Sequence, residues 1–360
     1  MAKRLGFLHH ETRTSSLPEP RRYVTGLSFG PSSSALVCLL DEQARLQASK
    51  RSSSAFEILA VHVDTELDPR RGPDDTADTP AQRLLGRYQE KFPRIEFQCI
   101  HLSKVLEVRT VDWSVLPGLG DGDQPPAERL RTMFDRLPSV TAKADVLRLL
   151  IRHLLIHVAM ERSYTALLFG HSTTALAALT LSEVANGRGF SVPWQVSDGR
   201  YAVCTYAPGS APGSTPTPVS RTEYPIYYPL REVFKGEINS YISLLPSLAD
   251  LGLGEDGETN EGGRSSSSIV SHKDTSIEEV MARYFESVEE PYSGIVANVV
   301  RTTGKLDRVP GETLCGLCGV ALDEQGDSRW AGEMGDEIDG SEQPQHKGRL
   351  CYGCKRSVNG

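Results

Sequence analysis

Short apolar runs alternate with longer segments of helical spacing along most of the first 245 residues. Continuous apolar runs predict strands at residues 23–27, 56–63, 96–102, 166–170, 201–206 and 226–228. Apolar positions three and four residues apart predict helices over residues 33–47, 80–92, 127–164 and 173–185. Strands without polar alternation are typical of a parallel sheet covered on both faces. The pattern therefore predicts an α/β fold with a parallel sheet and helices on both faces.

Changes in composition divide the chain into five parts. We expect a polar lead-in at 1–20, an α/β domain at 21–245, a disordered linker at 246–276, a helical segment at 277–306 and a cysteine-bearing tail at 311–360. Within these parts, segments rich in Gly, Pro, Ser or acidic residues predict flexible insertions at 67–79, 116–126, 207–222 and 323–343.

The first strand leads into Ser28-Phe29-Gly30-Pro31-Ser32-Ser33, a sequence typical of a phosphate-binding loop before a helix. Such a loop needs small residues and free backbone N–H groups near the phosphates. Phe29 replaces a small residue with a bulky one, and Pro31 has no N–H to donate. A purely structural interpretation is also open, in which Pro31 starts the helix and the serines cap it.

A second loop, Gly170-His171-Ser172, also leaves a predicted strand and enters a helix. In a parallel sheet it would lie beside the first loop, at the edge where such folds bind ligands. His171 and Ser172 could then contact a phosphate, or they could simply cap the helix. No carboxylate lies between Leu167 and Ser182 to hold Mg²⁺, which weakens any ATP-consuming mechanism.

Four of the seven cysteines form two CxxC pairs, Cys315 with Cys318 and Cys351 with Cys354. Two such knuckles can supply four thiolates to one tetrahedral Zn²⁺, which leaves no open position and favours a structural role. The 32 residues between the pairs are many for a zinc ribbon, but closure entropy grows slowly with loop length. A redox pair is the alternative.

Net charge and hydropathy limit the classes of protein to consider. Residues 311–343 alone carry a charge of −8, because they contain nine acidic residues and one basic residue, Arg329. The remainder of the chain therefore sums to about zero. An acidic pI therefore does not exclude a basic surface elsewhere. No apolar run is long enough to span a bilayer, and the first twelve residues do not resemble a secretory signal. We expect a cytosolic protein without membrane contact.

Basic residues are frequent on the long helical segment and beside the second CxxC pair. As tRNA-contacting candidates we select Lys143, Arg148, Arg152, Arg349, Lys355 and Arg356. A solvated helix face is the alternative for the first three, because acidic residues are interspersed there.

The loop beginning at Ser28 resembles a degenerate SGGxDS loop of the PP-loop ATP pyrophosphatases, whose fold is Rossmann-like. The segment from Gly170 occupies the place of that superfamily's second, acid-bearing motif. Together with Tyr228-Pro229-Leu230-Arg231-Glu232-Val233 and the CxxC pairs, these motifs make the chain similar to the cytoplasmic tRNA 2-thiolation family. The resemblance extends from about Arg21 to Lys355.

The resemblance implies a role in 2-thiolation of the wobble uridine (mcm5s2U) of tRNAs for Lys, Glu and Gln. It implies a heterodimer with a catalytic PP-loop paralogue, with sulfur delivered from a thiocarboxylated ubiquitin-related modifier (protein urmylation). It also implies that a vestigial nucleotide site would consist of Ser28, Gly30, Ser32, Ser33, Gly170, His171 and Ser172. Family members often carry cysteines before the PP-loop that are missing here, so a truncated amino terminus is one interpretation.

The chain departs from active relatives at each chemical step. Ser32 stands at the aspartate position of the loop, and Thr174 and Ala175 stand where the second motif has aspartates. Between Thr110 and Ser240 there is one cysteine, Cys204, and sulfur transfer needs a thiolate or metal near the base. The leading hypothesis is therefore a non-catalytic subunit with no catalytic residue, structural zinc and uncertain ATP binding. An active ATP-dependent tRNA sulfurtransferase and a zinc-ribbon adaptor are the alternatives.

Overall fold

A six-stranded sheet forms the centre of the computed structural model of this protein. The structure describes residues 21–49, 56–67, 79–119, 123–207, 218–245, 248, 251, 275–308, 311, 313–322 and 350–360. The strands are β1 Arg21–Gly26, β2 Phe56–Asp64, β3 Glu96–His101, β4 Ala166–Leu168, β5 Gly199–Tyr206 and β6 Pro218–Tyr227. The α-helices are α1 Pro31–Ala48, α2 Pro80–Lys91, α3 Pro126–Asp135, α4 Val140–Glu161, α5 Thr173–Ala185, α6 Val192–Val196, α7 Lys235–Ser243, α8 Ile277–Thr303 and α9 Tyr352–Asn359.

The strand order is β3-β2-β1-β4-β6-β5, and every pair is parallel except β5 with β6. The chain leaves β1 toward β2 on one side and returns to β4 on the other. The loops after β1 and β4 therefore flank the point where the order reverses, which is where open α/β sheets bind ligands. The predicted fold class is confirmed, with an antiparallel edge strand added, as mixed sheets often have.

Helices cover both faces of this sheet. On one face, α1, α2 and α7 pack over strand residues such as Tyr23, Ile58 and Phe97. On the other face, α3, α4, α5 and α8 pack over Val24, Leu59 and Leu167, and the four cysteines of the CxxC pairs belong to this same apolar cluster. The cysteine-bearing tail thus shares the main core of the protein.

Local sequence signals explain where several helices begin. Thr79 and Gln82 form a reciprocal capping box at α2, with Pro80 at the first helical position. Ser139 caps α4 by accepting the Ala142 N–H, and it follows Pro138. For this reason the segment 127–164, predicted as helical throughout, consists of two helices rather than one.

Two predicted flexible segments are partly ordered. Residues 218–222, assigned to a flexible insertion, belong to β6 and pair with β5, so that prediction is wrong for them. Leu248 and Leu251, assigned to a disordered linker, are buried against the cluster that contains α7. Apolar side chains can thus return to the core from a polar stretch.

The helical segment predicted from Ile277 is α8, which Ser276 caps and which bends near Pro291, where Tyr292 leaves helical geometry (φ −140°, ψ 48°). Several predictions fall outside the described residues: the lead-in 1–20, most of the insertion 67–79, residues 120–122 of the insertion 116–126, residues 208–217, most of the linker and the acidic insertion 323–343. Among the described helices, none combines the length and hydropathy of a membrane span.

Candidate functional site

The loop after β1 closes on itself through its serine side chains. The Ser28 N–H donates to Ser33 Oγ (3.2 Å), and the two hydroxyl oxygens lie 3.1 Å apart. Ser33 Oγ also donates to the Gly30 carbonyl (3.0 Å), and the Gly30 N–H points to Ser28 Oγ (3.4 Å). The hydroxyls of Ser28 and Ser33 and the N–H groups of Ser28 and Gly30 are therefore engaged within the loop.

Phe29 does not obstruct the loop as the sequence led us to expect. Its ring turns into the core, 4% exposed, and lies 4.2 Å from His62 and 5.4 Å from Tyr88 between ring centroids. This orientation requires a left-handed backbone at Phe29, with φ of 59°. That conformation suits glycine and costs other residues roughly 1–2 kcal/mol. The loop thus keeps a backbone shape suited to glycine, although the residue is phenylalanine.

The two predicted loops do meet at the sheet edge. A Cβ added to Gly170 would lie 2.9 Å from Ser33 Cα and 3.1 Å from the Ser32 carbonyl oxygen, so only glycine permits this approach. Ser172 caps α5 by accepting the Ala175 N–H (3.1 Å), which is the structural role considered for it. The two loops that contain the seven candidate nucleotide-site residues therefore lie side by side, and Ser28, Gly30 and Ser33 already bond to one another.

His171 packs edge-on against Phe169 and Tyr228, with ring centroids 5.6 and 5.5 Å away. Burial lowers the pKa of His171 to about 4, with further contributions from the cations Arg152 and Arg148. The imidazole is therefore neutral near pH 7 and offers a phosphate no positive charge.

A carboxylate that the sequence pattern did not reveal lies beside the second loop. Glu289 of α8 accepts hydrogen bonds from the Thr174 hydroxyl and from the N–H groups of Lys235 (3.2 Å) and Gly236 (2.7 Å). Glu289 thereby neutralises the positive N-terminus of α7. Glu289 lies 115 residues from Thr174 in sequence, so only the tertiary fold brings this carboxylate to the second loop.

The four cysteines come together as predicted. Their Sγ atoms lie within 4.8 Å of one another, all four are buried, and those of Cys318 and Cys351 are 3.8 Å apart. Zinc–sulfur bonds of about 2.3 Å at a tetrahedral ion place sulfurs about 3.8 Å apart, whereas a disulfide needs about 2.05 Å. The donor set therefore fits a single four-coordinate metal ion, and it does not match an oxidised pair.

The first knuckle is anchored to the α/β core by specific hydrogen bonds. His153 Nε2 donates to the Leu317 carbonyl (2.7 Å) while Nδ1 accepts from Thr110 (2.8 Å), and burial lowers the pKa of this imidazole to about 4. Tyr201 donates to the Cys318 carbonyl, and the Asp112 N–H donates to Gly316 (2.8 Å). The metal site is thus built onto α4 and β5.

A buried cluster of charges lies against the second knuckle. Asp145 of α4 and Glu183 of α5 both bind the guanidinium of Arg188, and all three side chains are fully buried. Although burial opposes ionisation, Arg188 and Arg148 hold the pKa values of both carboxyls below their usual range. The interspersed charges along α4 did not predict this cluster, because Glu183 lies on α5 and Arg188 follows α5.

Two of the residues predicted to contact tRNA, Arg148 and Arg152, already have partners within the protein. Arg148 is held by Asp145 (3.0 Å), Glu183 and Glu278 (2.6 Å), so its guanidinium already has carboxylate partners. Arg152 is buried, donates to Gln195 Oε1 (2.8 Å) and lies over the ring of Tyr201. Neither side chain faces solvent in a way that suits a phosphate backbone.

The other described basic candidates differ in exposure: Arg356 is exposed, whereas Lys143 and Lys355 are partly buried. Lys143 stands 3.8 Å from Asp135, and Arg356 is exposed on α9 with one N–H on the Ala185 carbonyl (3.3 Å). The chain end at Gly360 lies beside Pro138, so α9 runs close to the start of α4, near Lys143. Lys355 belongs to the same helix, and Arg349 lies outside the described residues.

Comparison with known proteins adds a relationship that extends along the chain. The family model of cytoplasmic tRNA 2-thiolation protein 2 matches residues 276–343. Proteins of that name from Phaeosphaeria nodorum and Pyrenophora tritici-repentis are 34% and 36% identical, over 96% and 94% of this chain and 83% and 82% of theirs. A solved U34-tRNA thiolase, NcsA from Methanococcus maripaludis with its 4Fe-4S cluster, is similar with a TM-score of 0.47 and 14% identity, covering 91% of this chain and 88% of that chain.

The left-handed backbone of Phe29 can be tested by two substitutions. Phe29→Ala and Phe29→Gly both remove the buried ring, and both should lower the free energy of unfolding. Glycine is normally the less stable of the two, but here it should be the more stable by about 1 kcal/mol because it relieves the positive φ. Urea unfolding of both variants measures the difference. An alanine variant as stable as the glycine variant would contradict the backbone geometry.

The metal centre predicts one zinc ion per chain in elemental analysis of the purified protein. Cys354→Ala should remove the metal and lower the melting temperature, whereas Cys204→Ala, which also truncates a buried cysteine, should keep it. A strong chelator should lower the melting temperature of the native chain to that of the Cys354 variant. Equal metal content in both alanine variants would argue against the four-cysteine site.

Proposed function

This chain belongs to the family of cytoplasmic tRNA 2-thiolation protein 2, and on that premise we propose that it is a non-catalytic subunit of a cytoplasmic tRNA thiolation complex. The complex introduces sulfur at C2 of the wobble uridine in tRNAs for Lys, Glu and Gln. Its catalytic subunit is a PP-loop paralogue, with which this chain forms a heterodimer. Sulfur reaches the complex from a thiocarboxylated ubiquitin-related modifier.

The main support for a non-catalytic role is the hydrogen bonding within and around the loops after β1 and β4. Adenylation of uridine needs a loop that donates to the ATP phosphates and carboxylates that hold Mg²⁺. Here Ser28, Gly30 and Ser33 bond to one another, and the carboxylate near Thr174, Glu289, is bound to the α7 N-terminus. We expect no productive ATP complex at this edge of the sheet.

The thiols also support a non-catalytic role. The described cysteines outside the metal site are Cys38, Cys99 and Cys204. Burial raises the pKa of Cys99 to about 11 and raises the pKa values of Cys38 and Cys204. Sulfur transfer proceeds through a thiolate or a metal site, so we assign this step to the partner subunit.

The contribution of this chain is then structural and electrostatic. We assign zinc to the four cysteines, since they match its preferred number and type of ligands. The metal fixes the segment that ends in α9. This helix carries Lys355 and Arg356, and its end lies beside Pro138, just before the helix α4 that carries Lys143. These residues form the surface that we assign to the tRNA phosphate backbone.

The central test is formation of 2-thiouridine on a substrate tRNA with ATP and a sulfur donor. This chain alone and the catalytic paralogue alone should each give little product, and the two together should be active. Equilibrium ATP binding to the isolated chain, measured in parallel, should be undetectable at millimolar nucleotide. Product formed by this chain alone, or ATP binding lost on Ser33→Ala, would overturn the non-catalytic role.

The tRNA surface predicts the effect of charge reversal. Arg356→Glu and Lys143→Glu should weaken tRNA binding by the complex and reduce the slope of log K against log salt by about 0.7–0.9 for each lost phosphate contact. Arg87→Glu is the control, because Arg87 is exposed on α2 at the opposite face of the sheet. Equal effects of all three substitutions in a filter-binding salt series would contradict the assignment.

A further inference from the structure

Arg188 is a fully buried arginine whose five N–H groups all point at acceptors. Nε donates to Glu183 Oε2 (2.8 Å), and Nη2 donates to Glu183 Oε1 (3.1 Å) and to Asp145 Oδ1. One N–H of Nη1 is bound to Asp145 Oδ2 (2.8 Å). The remaining donor of Nη1 faces Cys354 Sγ at 3.9 Å. The guanidinium therefore connects two carboxylates to one of the four clustered thiols.

Further hydrogen bonds to the two carboxylates fix the orientation of the Arg188 guanidinium. Asp145 Oδ2 also accepts from Ser357 Oγ (2.7 Å), and Glu183 Oε2 also accepts from Ser191 Oγ (3.0 Å). Ser357 lies one helical turn after Cys354 on α9. The second knuckle is thus tied to the cluster by two side chains three residues apart.

Close packing at Gly353 brings the knuckle turn onto Arg188. A Cβ at Gly353 would lie 2.3 Å from Arg188 Cγ and 2.5 Å from the Asn186 carbonyl oxygen. No side chain fits there without moving the loop that carries Arg188. Steric contact alone therefore requires glycine at position 353, inside the second CxxC pair, independently of any hydrogen bond.

We propose that Arg188 is a positioning residue of the metal centre, where its guanidinium donates to the Cys354 thiolate and separates Asp145 and Glu183 from the metal-bound sulfurs. Four thiolates around a divalent ion carry a net charge of −2. Without Arg188, two buried carboxylates would face that anion directly. The guanidinium beside Cys354 offsets part of this negative charge, so its removal should weaken metal binding.

The alternative role for Arg188 is purely structural, as the cation of a buried salt bridge. If that is its only role, replacing Arg188 should lower protein stability. It should then affect metal affinity no more than replacing any other member of the ion-pair cluster does. Arg148 provides the matched control. It binds the same Asp145 and Glu183 in the same cluster, yet its described partners are carboxylates and no sulfur.

The experiment measures zinc affinity of the full chain by competition with a chromogenic chelator, for the native protein and for Arg188→Met, Arg188→Lys and Arg148→Met. Loss of a residue that hydrogen-bonds to a metal ligand typically lowers metal affinity 10–100-fold. We expect that loss in Arg188→Met, a smaller one in Arg188→Lys, which keeps the charge but not the fork, and less than threefold in Arg148→Met. Native affinity in Arg188→Met, or equal weakening in Arg148→Met, would overturn the proposal.

A spectroscopic measurement covers the case in which Arg188→Met does not fold. In cobalt-substituted protein, the sulfur-to-cobalt charge-transfer band of Arg188→Lys should shift to lower energy, because the Cys354 thiolate loses an N–H donor and becomes a stronger electron donor. An unshifted band would overturn the proposal. The inference rests on the proposed metal site. A native chain that binds no metal would refute the site itself. Metal binding by the native chain, with the same affinity in the Arg188 variants, would refute only the role of Arg188.

Discussion

The buried contact among Asp145, Glu183, Arg148 and Arg188 is the interaction on which the arrangement of the helices depends. It joins α4, α5 and, through Glu278, the start of α8, and it reaches α9 through Ser357. Removing one partner from such a cluster leaves an uncompensated buried charge, which typically costs about 3–5 kcal/mol. Four helices that are distant in sequence are therefore held in fixed relative positions, because separating them would leave a buried charge without a partner or water.

This constraint explains why the cysteine-bearing tail shares the main core. Small metal knuckles usually depend on their ion for order, but here His153 and Tyr201 also bind backbone carbonyls of the first knuckle. The metal site and the α/β core thus stabilise each other. In the proposed complex, that coupling keeps the basic residues of α9 in a fixed position relative to α4.

The loop after β1 shows that backbone geometry can persist where the chemistry does not. Phe29 adopts the left-handed conformation that a glycine-containing loop would use, and burial of its ring against His62 and Tyr88 offsets the strain. The hydroxyls of Ser28 and Ser33 bond to each other. A loop of this shape is a stable turn between strand and helix, and it supports the fold.

The sequence by itself determined the α/β class, most strand and helix positions, the meeting of the loops after β1 and β4, and the grouping of the four cysteines. These features follow from local periodicity, turn chemistry and ligand spacing, which short segments carry on their own. Only the tertiary structure decided that Arg148 binds Glu278, that Arg152 is buried against Gln195, that Glu289 binds the start of α7, and that Arg188 faces Cys354. In each of these contacts the partners lie more than 30 residues apart, and no local sequence pattern encodes such a contact.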